Sequence, residues 1–235
     1  MKTTWMTTAE ASEELGVTRS MVRKLLGNGT LLSAGNAGRN ILIDRESVRR
    51  YKSRGSVPGR KWSEKTSWAA LSLISGGTPR WIDANSRYRL KIRIRSMDPE
   101  ELAAAVSTKD CIQRYRIHPS GIPTVQDYLI PTGVAALNSP ETASRFRLAA
   151  GADIAEGYID PEDALQLIEA FSMVPDPQGN VIMRLVSTME AFVDDIPLTA
   201  AIAVDLMDSL STRERRAGEQ AFHDIVFKWM GKVHD

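Results

Sequence analysis

A single cysteine, Cys111, stands in a chain of 235 residues, so no internal disulfide can form. The only histidines are His118, His223 and His234, and no Cys/His set has zinc-ligand spacing. Aromatic residues are scarce at 6%, and no stretch approaches the roughly 18 uninterrupted apolar residues that would span a bilayer. The start, Met1-Lys2-Thr3-Thr4-Trp5, has no apolar run after its lysine, so neither secretion nor membrane insertion is expected. A reducing cytoplasm is the expected compartment. No Gly-rich phosphate loop and no nucleophile elbow occurs either, which argues against an enzyme.

Two residue sets could still suggest chemistry. Cys111 and His118 lie on a β-prone run, but seven residues of strand separate them by about 20 Å. Asp205 and Asp208, one helical turn apart and preceded by Asp194-Asp195, hint at a carboxylate metal site. On the outer face of an amphipathic helix such carboxylates are expected to be hydrated instead. The expectation is therefore no catalytic residue, no metal and no cofactor.

What is present is a 43% hydrophobic, 25% charged composition, enough for a packed core and one or two domains. The net charge of +1 conceals a division. Residues 1–95 carry 19 Lys/Arg against 7 Asp/Glu, and residues 96–235 carry 11 against 22. A basic segment attracts phosphate backbones, and an acidic one is repelled from them.

Within the basic part, residues 6–26 read as two short helices around a tight turn. Thr7 or Thr8 caps the first, with Glu10 at capping-box distance from Thr7, and Gly16 stops it. Thr18 caps the second, in which Met21, Val22, Leu25 and Leu26 form an apolar stripe while Arg19, Ser20, Arg23 and Lys24 face outward. Gly27 is expected as its left-handed terminal residue. Thr30–Ala34 and Asn40–Ile43 then read as a hairpin across the loop Gly35–Arg39. Asp44 caps a third helix, Arg45–Arg54, with Val48 and Tyr51 inward and Arg49, Arg50 and Lys52 outward.

This order of helix, turn, helix, wing and third helix resembles the winged helix-turn-helix of the excisionase/MerR-like group over residues 6–54. The residues carrying the likeness are Met6–Ala11, Leu15–Val22, Leu25–Thr30, Arg39 and Ile43–Val48. The resemblance implies binding of double-stranded DNA. Thr18, Arg19 and Ser20 would sit at the groove-reading end of the second helix, and Arg23, Lys24, Arg39 and Arg49 would contact the backbone. Where many relatives carry an aromatic residue in the second helix, this chain has Arg23, and its wing loop is rich in small residues.

Gly55–Gly59 reads as a linker, giving expected domains over 1–54 and 61–235. Beyond it, Ser63–Ile74 is a helix ended by Gly76-Gly77, and Thr78-Pro79 begins another. Arg87–Arg95 alternates perfectly, as a strand would, yet its flanking start signals favour a helix that is a second candidate phosphate-contact surface. Further strands are read at Ile112–Ile117, Asp153–Ile159 and Val181–Val186, a helix opens at Asp160-Pro161, and Asp176–Asn180 is a turn. Two long amphipathic helices, Leu198–Leu210 and Ser211–Trp229, close the chain. The fold class is α+β, a winged helix-turn-helix followed by a larger mixed α/β domain.

Segments of that domain, Glu156–Ile159, Val174–Val181 and Leu206–Glu214, are loosely similar to antitoxins of AbiE-type toxin–antitoxin systems. That likeness implies a partner toxin of the nucleotidyltransferase-like class and autorepression. Three readings result: a dimeric transcriptional regulator, such an antitoxin, and an excisionase-like DNA-bending factor. The bending factor is disfavoured because bending needs no additional domain of this size.

Overall fold

The computed structural model describes residues 5–27, 30–38, 40–53, 62–107, 111–149, 153–192, 197–209 and 211–231. The linker read at 55–60, the wing-tip residue Arg39, Asp194-Asp195 and Leu210 lie outside the described residues.

The N-terminal unit begins with a short strand, β1 (Trp5–Thr7), and continues through α1 (Thr8–Leu15) and α2 (Arg19–Gly27). It then forms the hairpin β2 (Ser33–Ala37) and β3 (Asn40–Asp44), followed by α3 (Arg45–Ser53). Thr7 caps α1 through a complete capping box with Glu10, and Gly16 ends it at φ 65°, a conformation that costs glycine little. In the turn, Val17 donates its N–H to the Ser12 carbonyl at 3.1 Å, and Thr18 Oγ1 caps α2 by accepting from Met21 N at 3.2 Å. Val22, Leu25 and Leu26 of α2 pack with Met6, Ala11, Leu31, Ile43 and Val48 into one small core. β1 pairs antiparallel with β3, so the sheet order is β1-β3-β2, one strand more than the sequence suggests. Three residues carry little hydropathy signal, which is why β1 escapes a reading by pattern.

Three local expectations change. Met21 is 37% exposed and leaves the apolar stripe, because helical geometry turns it away from Val22 and Leu25. Gly27 is the last helical residue and is not left-handed. Gly35–Ala37, expected as loop, continue β2 through a bulge between Ser33 and Gly35, where the φ of 110° at Gly35 absorbs the irregularity.

The larger part opens with α4 (Glu64–Ile74), α5 (Ala84–Arg95) and α6 (Pro99–Val106). The chain then alternates through β4 (Ile112–Arg116), α7 (Ile122–Gln126), β5 (Ile130–Pro131), α8 (Pro140–Phe146), β6 (Ala155–Ile159), α9 (Pro161–Ala170), β7 (Val174–Pro175) and β8 (Val181–Leu185). It closes with α10 (Thr199–Leu206) and α11 (Thr212–Gly231). The sheet order is β5-β6-β8-β4-β7, with β6 and β8 parallel and the other pairs antiparallel. One face of this sheet, through Ala155, Ile159, Val181 and Met183, packs on Val125, Ala164 and Leu167 of α7 and α9. A second core gathers α4, α6, α10 and α11 around Trp68, Leu102, Leu206 and Phe222.

The helix expected from Thr78-Pro79 is absent. Arg87 donates to the Pro79 carbonyl at 2.9 Å and Trp81 Nε1 to the Lys65 carbonyl at 3.1 Å, which tie that segment down as a connector. Asp83 instead supplies the cap of α5, accepting from Ser86 N at 2.8 Å. The alternating Arg87–Arg95 stretch is helical, with Leu90 and Ile94 buried. Of the two terminal helices only α11 is long; α10 has eight residues and is buried on all sides rather than amphipathic.

Gly218 of α11 allows that close packing, since a Cβ there would lie 2.5 Å from the Ala203 carbonyl oxygen. A Cβ on Gly27 meets nothing within 4 Å. Urea unfolding should therefore separate two glycines that both sit in helices. Gly218→Ala should destabilise by roughly 1–3 kcal/mol despite its better helix propensity, whereas Gly27→Ala should be neutral or gain up to about 1 kcal/mol.

Candidate functional site

On α2, apolar residues recur on the buried side, which leaves the opposite side to Arg19, Ser20, Arg23 and Lys24, all exposed. Arg19 and Arg23 are one turn apart, as are Ser20 and Lys24, so the four form a continuous outward strip with no carboxylate in the helix. Thr18 precedes them, exposed, at the helix start, and Met21 joins the strip as an apolar member. Hydrogen bonds tie α2 from behind. Leu31 N donates to the Leu25 carbonyl at 2.9 Å, and Leu32 N donates to Ser47 Oγ at 3.1 Å. Ser47, 2% exposed, in turn donates to the Asp44 carbonyl at 2.7 Å, so one hydroxyl ties the hairpin to α3. Arg49 is exposed on α3, on a different element from the strip, and Arg45 pairs with Glu14 at 3.7 Å across α3 and α1.

This is the geometry of a helix presented by a small scaffold to a groove: a capped N-terminal end, cations on the outward side, and a hairpin beside it. The family model described as a helix-turn-helix domain matches residues 5–56. The N-terminal unit is a helix-turn-helix domain. A search of curated proteins and one of solved structures returned no match to the chain. No described helix is long and apolar enough to cross a membrane.

A second charged assembly lies in the larger part, on the sheet face opposite α7 and α9. Alternation places Arg114 of β4, Ile182 and Arg184 of β8, and Glu156 and Tyr158 of β6 on that face. Arg184, 1% exposed, pairs with Glu156 at 2.8 Å and with Asp205 of α10 at 3.0 Å, and Asp208 lies 3.8 Å away. Thr132 Oγ1 donates to Asp205 at 2.7 Å, and the Tyr158 hydroxyl donates to the same carboxylate oxygen. The Tyr158 ring is wedged edge-on to Trp68 at 5.0 Å and stacked on Phe192 at 5.1 Å. Burial alone would lower the Arg184 guanidinium, but Asp205, Glu156 and Asp208 outweigh it and hold the cation above its ordinary value. Burial and the Asp205 charge both raise the Tyr158 phenol, which keeps it a neutral donor. Beside this cluster lies a cavity of about 340 Å³ lined in part by Arg114, Glu156, Arg184, Asp208 and Glu214.

The expectation that Asp205 and Asp208 are hydrated on an outer helix face is overturned, since Asp205 is 3% exposed and bonded to Arg184. Among the described residues no group of His, Cys, Asp and Glu could hold a metal ion. His118 lies outside the cluster, its ring Nδ1 2.8 Å from Ser120 Oγ. The sequence did contain a signal for the cluster: Arg184, Glu156 and Asp205 each interrupt an apolar run, and a charge there is placed in the interior by its neighbours.

Burial pushes the Asp205 carboxyl up to about 6 from 3.8, against the lowering pull of Arg184, Tyr158 and Thr132. Below the unfolded value both states are protonated; between the two values only the folded chain keeps the proton, so this residue's stabilising contribution falls as pH rises through about 6. The stability difference between wild type and Asp205→Asn, followed by thermal melts, should therefore shrink from pH 4 to pH 7. Removing the cation is more severe. Arg184→Met should cost about 3–5 kcal/mol by leaving buried carboxylates uncompensated, while Arg145→Met, which breaks the exposed pair with Glu141, should change stability by less than about 1 kcal/mol.

Proposed function

We propose that this protein is a cytoplasmic, sequence-specific regulator of transcription that binds double-stranded DNA through α2 and the neighbouring hairpin. The observation that carries the reading is the strip Thr18, Arg19, Ser20, Arg23 and Lys24, all exposed on the second helix of a helix-turn-helix domain. Residues at the start of α2 read base edges, and cations further along, with Arg49, anchor phosphates. One such unit makes too few contacts for tight specific binding, so a homodimer on a two-fold site is part of the proposal. The larger part, from about residue 61, serves assembly, with neither catalysis nor a cofactor assigned to it.

A second reading, an AbiE-type antitoxin that also represses its own operon, is favoured by the acidic balance of residues 96–235, 11 Lys/Arg against 22 Asp/Glu. Such a surface suits a basic protein partner and repels phosphates. A nucleotidyltransferase-like toxin encoded beside this gene, retained by the full-length chain in a pull-down, would support it. The absence of such a neighbour would remove it.

Fluorescence anisotropy on a duplex from upstream of its own gene, and on a random duplex of equal length, tests the main reading. Arg19→Ala should reduce discrimination between the two duplexes by about 1–3 kcal/mol. Lys24→Ala should weaken both alike and lower the salt slope by about one unit. Equal losses on both duplexes for both variants would remove the assignment of roles, and wild-type protein that binds neither would remove the function.

A further inference from the structure

Helix α5 turns an unusual face to solvent. Leu90 and Ile94 anchor it in the core, so the opposite side carries Tyr88 and Ile92 one turn apart, 66% and 48% exposed. Arg89 and Arg93 flank this apolar seam on one side, and Lys91 and Arg95 on the other. None of these cations pairs with a carboxylate among the described residues. Arg89 reaches only Ser86 Oγ at 3.4 Å, Arg93 lies over the Trp62 ring at 4.5 Å, and Arg95 over Trp229 at 5.8 Å. Phosphates alone would reward the cations and leave Tyr88 and Ile92 in water. A seam of tyrosine and isoleucine bracketed by arginine has the composition of the centre of a protein interface.

The complementary face is on the same molecule. Helix α9 buries Ala164 and Leu167 and exposes Glu162, Leu165, Gln166 and Glu169, which recur at the i, i+3, i+4, i+7 spacing of one helical face. Leu165 is 69% exposed, and neither glutamate pairs with a cation among the described residues. One helix therefore offers apolar side chains between unpaired cations, and another an apolar side chain between unpaired carboxylates.

We propose that α5 of one chain docks on α9 of a second copy, and α9 of the first on α5 of the second, so that the two faces close a two-fold dimer. Each copy carries both faces, and with a two-fold axis between the copies the contact forms twice and leaves no free end for a chain of molecules. An antiparallel approach sets Arg93, in the last turn of α5, against Glu162, in the first turn of α9, with Arg89 toward Glu169 and the helix dipoles opposed. Charge sets the register and Tyr88, Ile92 and Leu165 supply the desolvated centre. The inference deepens the dimeric part of the proposed function and stands apart from DNA contact by α2.

Sedimentation equilibrium on the full-length chain at low salt tests it, with Arg89→Glu/Arg93→Glu and Glu162→Arg/Glu169→Arg as paired charge reversals. Circular dichroism on both variants checks that they remain folded. Wild type should dimerise and weaken with salt, each variant should lose at least about tenfold in self-affinity, and an equimolar mixture of the two should recover the dimer, since both contacts are then complementary again. That recovery also proves each variant folded. A wild-type dimer indifferent to both reversals overturns this surface and leaves dimerisation standing. A wild type that is monomeric with and without DNA overturns both. A basic-helix variant that loses DNA affinity with no change in association makes α5 a phosphate-contact surface and overturns the proposal.

Discussion

Arg184 is the residue on which the larger part of the molecule converges. It sits on β8, one residue before the strand's end, and its guanidinium reaches Glu156 on the parallel neighbour β6 and Asp205 on the helix that covers the sheet. A buried cation is tolerated only when its charge and donors are met, so its position constrains both partners together. Tyr158 and Thr132 bond to Asp205 in turn, which carries the constraint to the aromatic group of Trp68 and Phe192. Apolar packing alone would accept α10 in several registers on this sheet. A two-sided ion cluster accepts one, at some cost in desolvation, and fixes where α10 and hence α11 lie.

The N-terminal unit rests on lighter devices. Among the described residues its core has eight buried apolar side chains, too few to hold orientation by packing alone, and short-range hydrogen bonds replace mass. The capping box at Thr7, the Thr18 cap and the Ser47 hydroxyl each fix one junction between elements. On the proposed reading orientation matters more here than in most small units, because a helix that reads base edges loses its contacts with a displacement of about an ångström. The cations of α2 then project from a helix whose ends and back are all tied.

How much of this could be read in the chain beforehand depended on how local the cause is. Caps, turns and helical stripes act over a few residues, so Thr7, Gly16, Thr18, Asp44 and the outward strip of α2 were legible. So was the helical state of Arg87–Arg95, where flanking start signals outweighed a strand-like alternation. What was not legible is produced by distant residues. Thr78-Pro79 has the form of a helix start, yet Trp81 and Arg87 hold it as a connector through partners that sequence order does not reveal. Asp205 looked like a solvated carboxylate because its counter-charge lies 21 positions earlier, on another element. Three residues of β1 owe their strand state to β3.

The charge division of the chain then acquires a spatial meaning that a count cannot supply. Its carboxylates are not one acidic surface: Asp205, Asp208 and Glu156 are consumed inside by Arg184, while Glu162 and Glu169 remain outside on α9. The cations divide likewise, those of α2 facing away from their small core and those of α5 facing away from the large one. Charge facing solvent without a counter-charge keeps its long-range field, and on the proposed reading the fields of opposite sign on this chain attract both a polyanion and another copy of the chain. On the proposed reading the two attractions call on different helices, so binding to DNA and pairing of copies need not compete, and each would bring the other's groups to higher effective concentration, which is how two weak contacts on linked units add to a strong one.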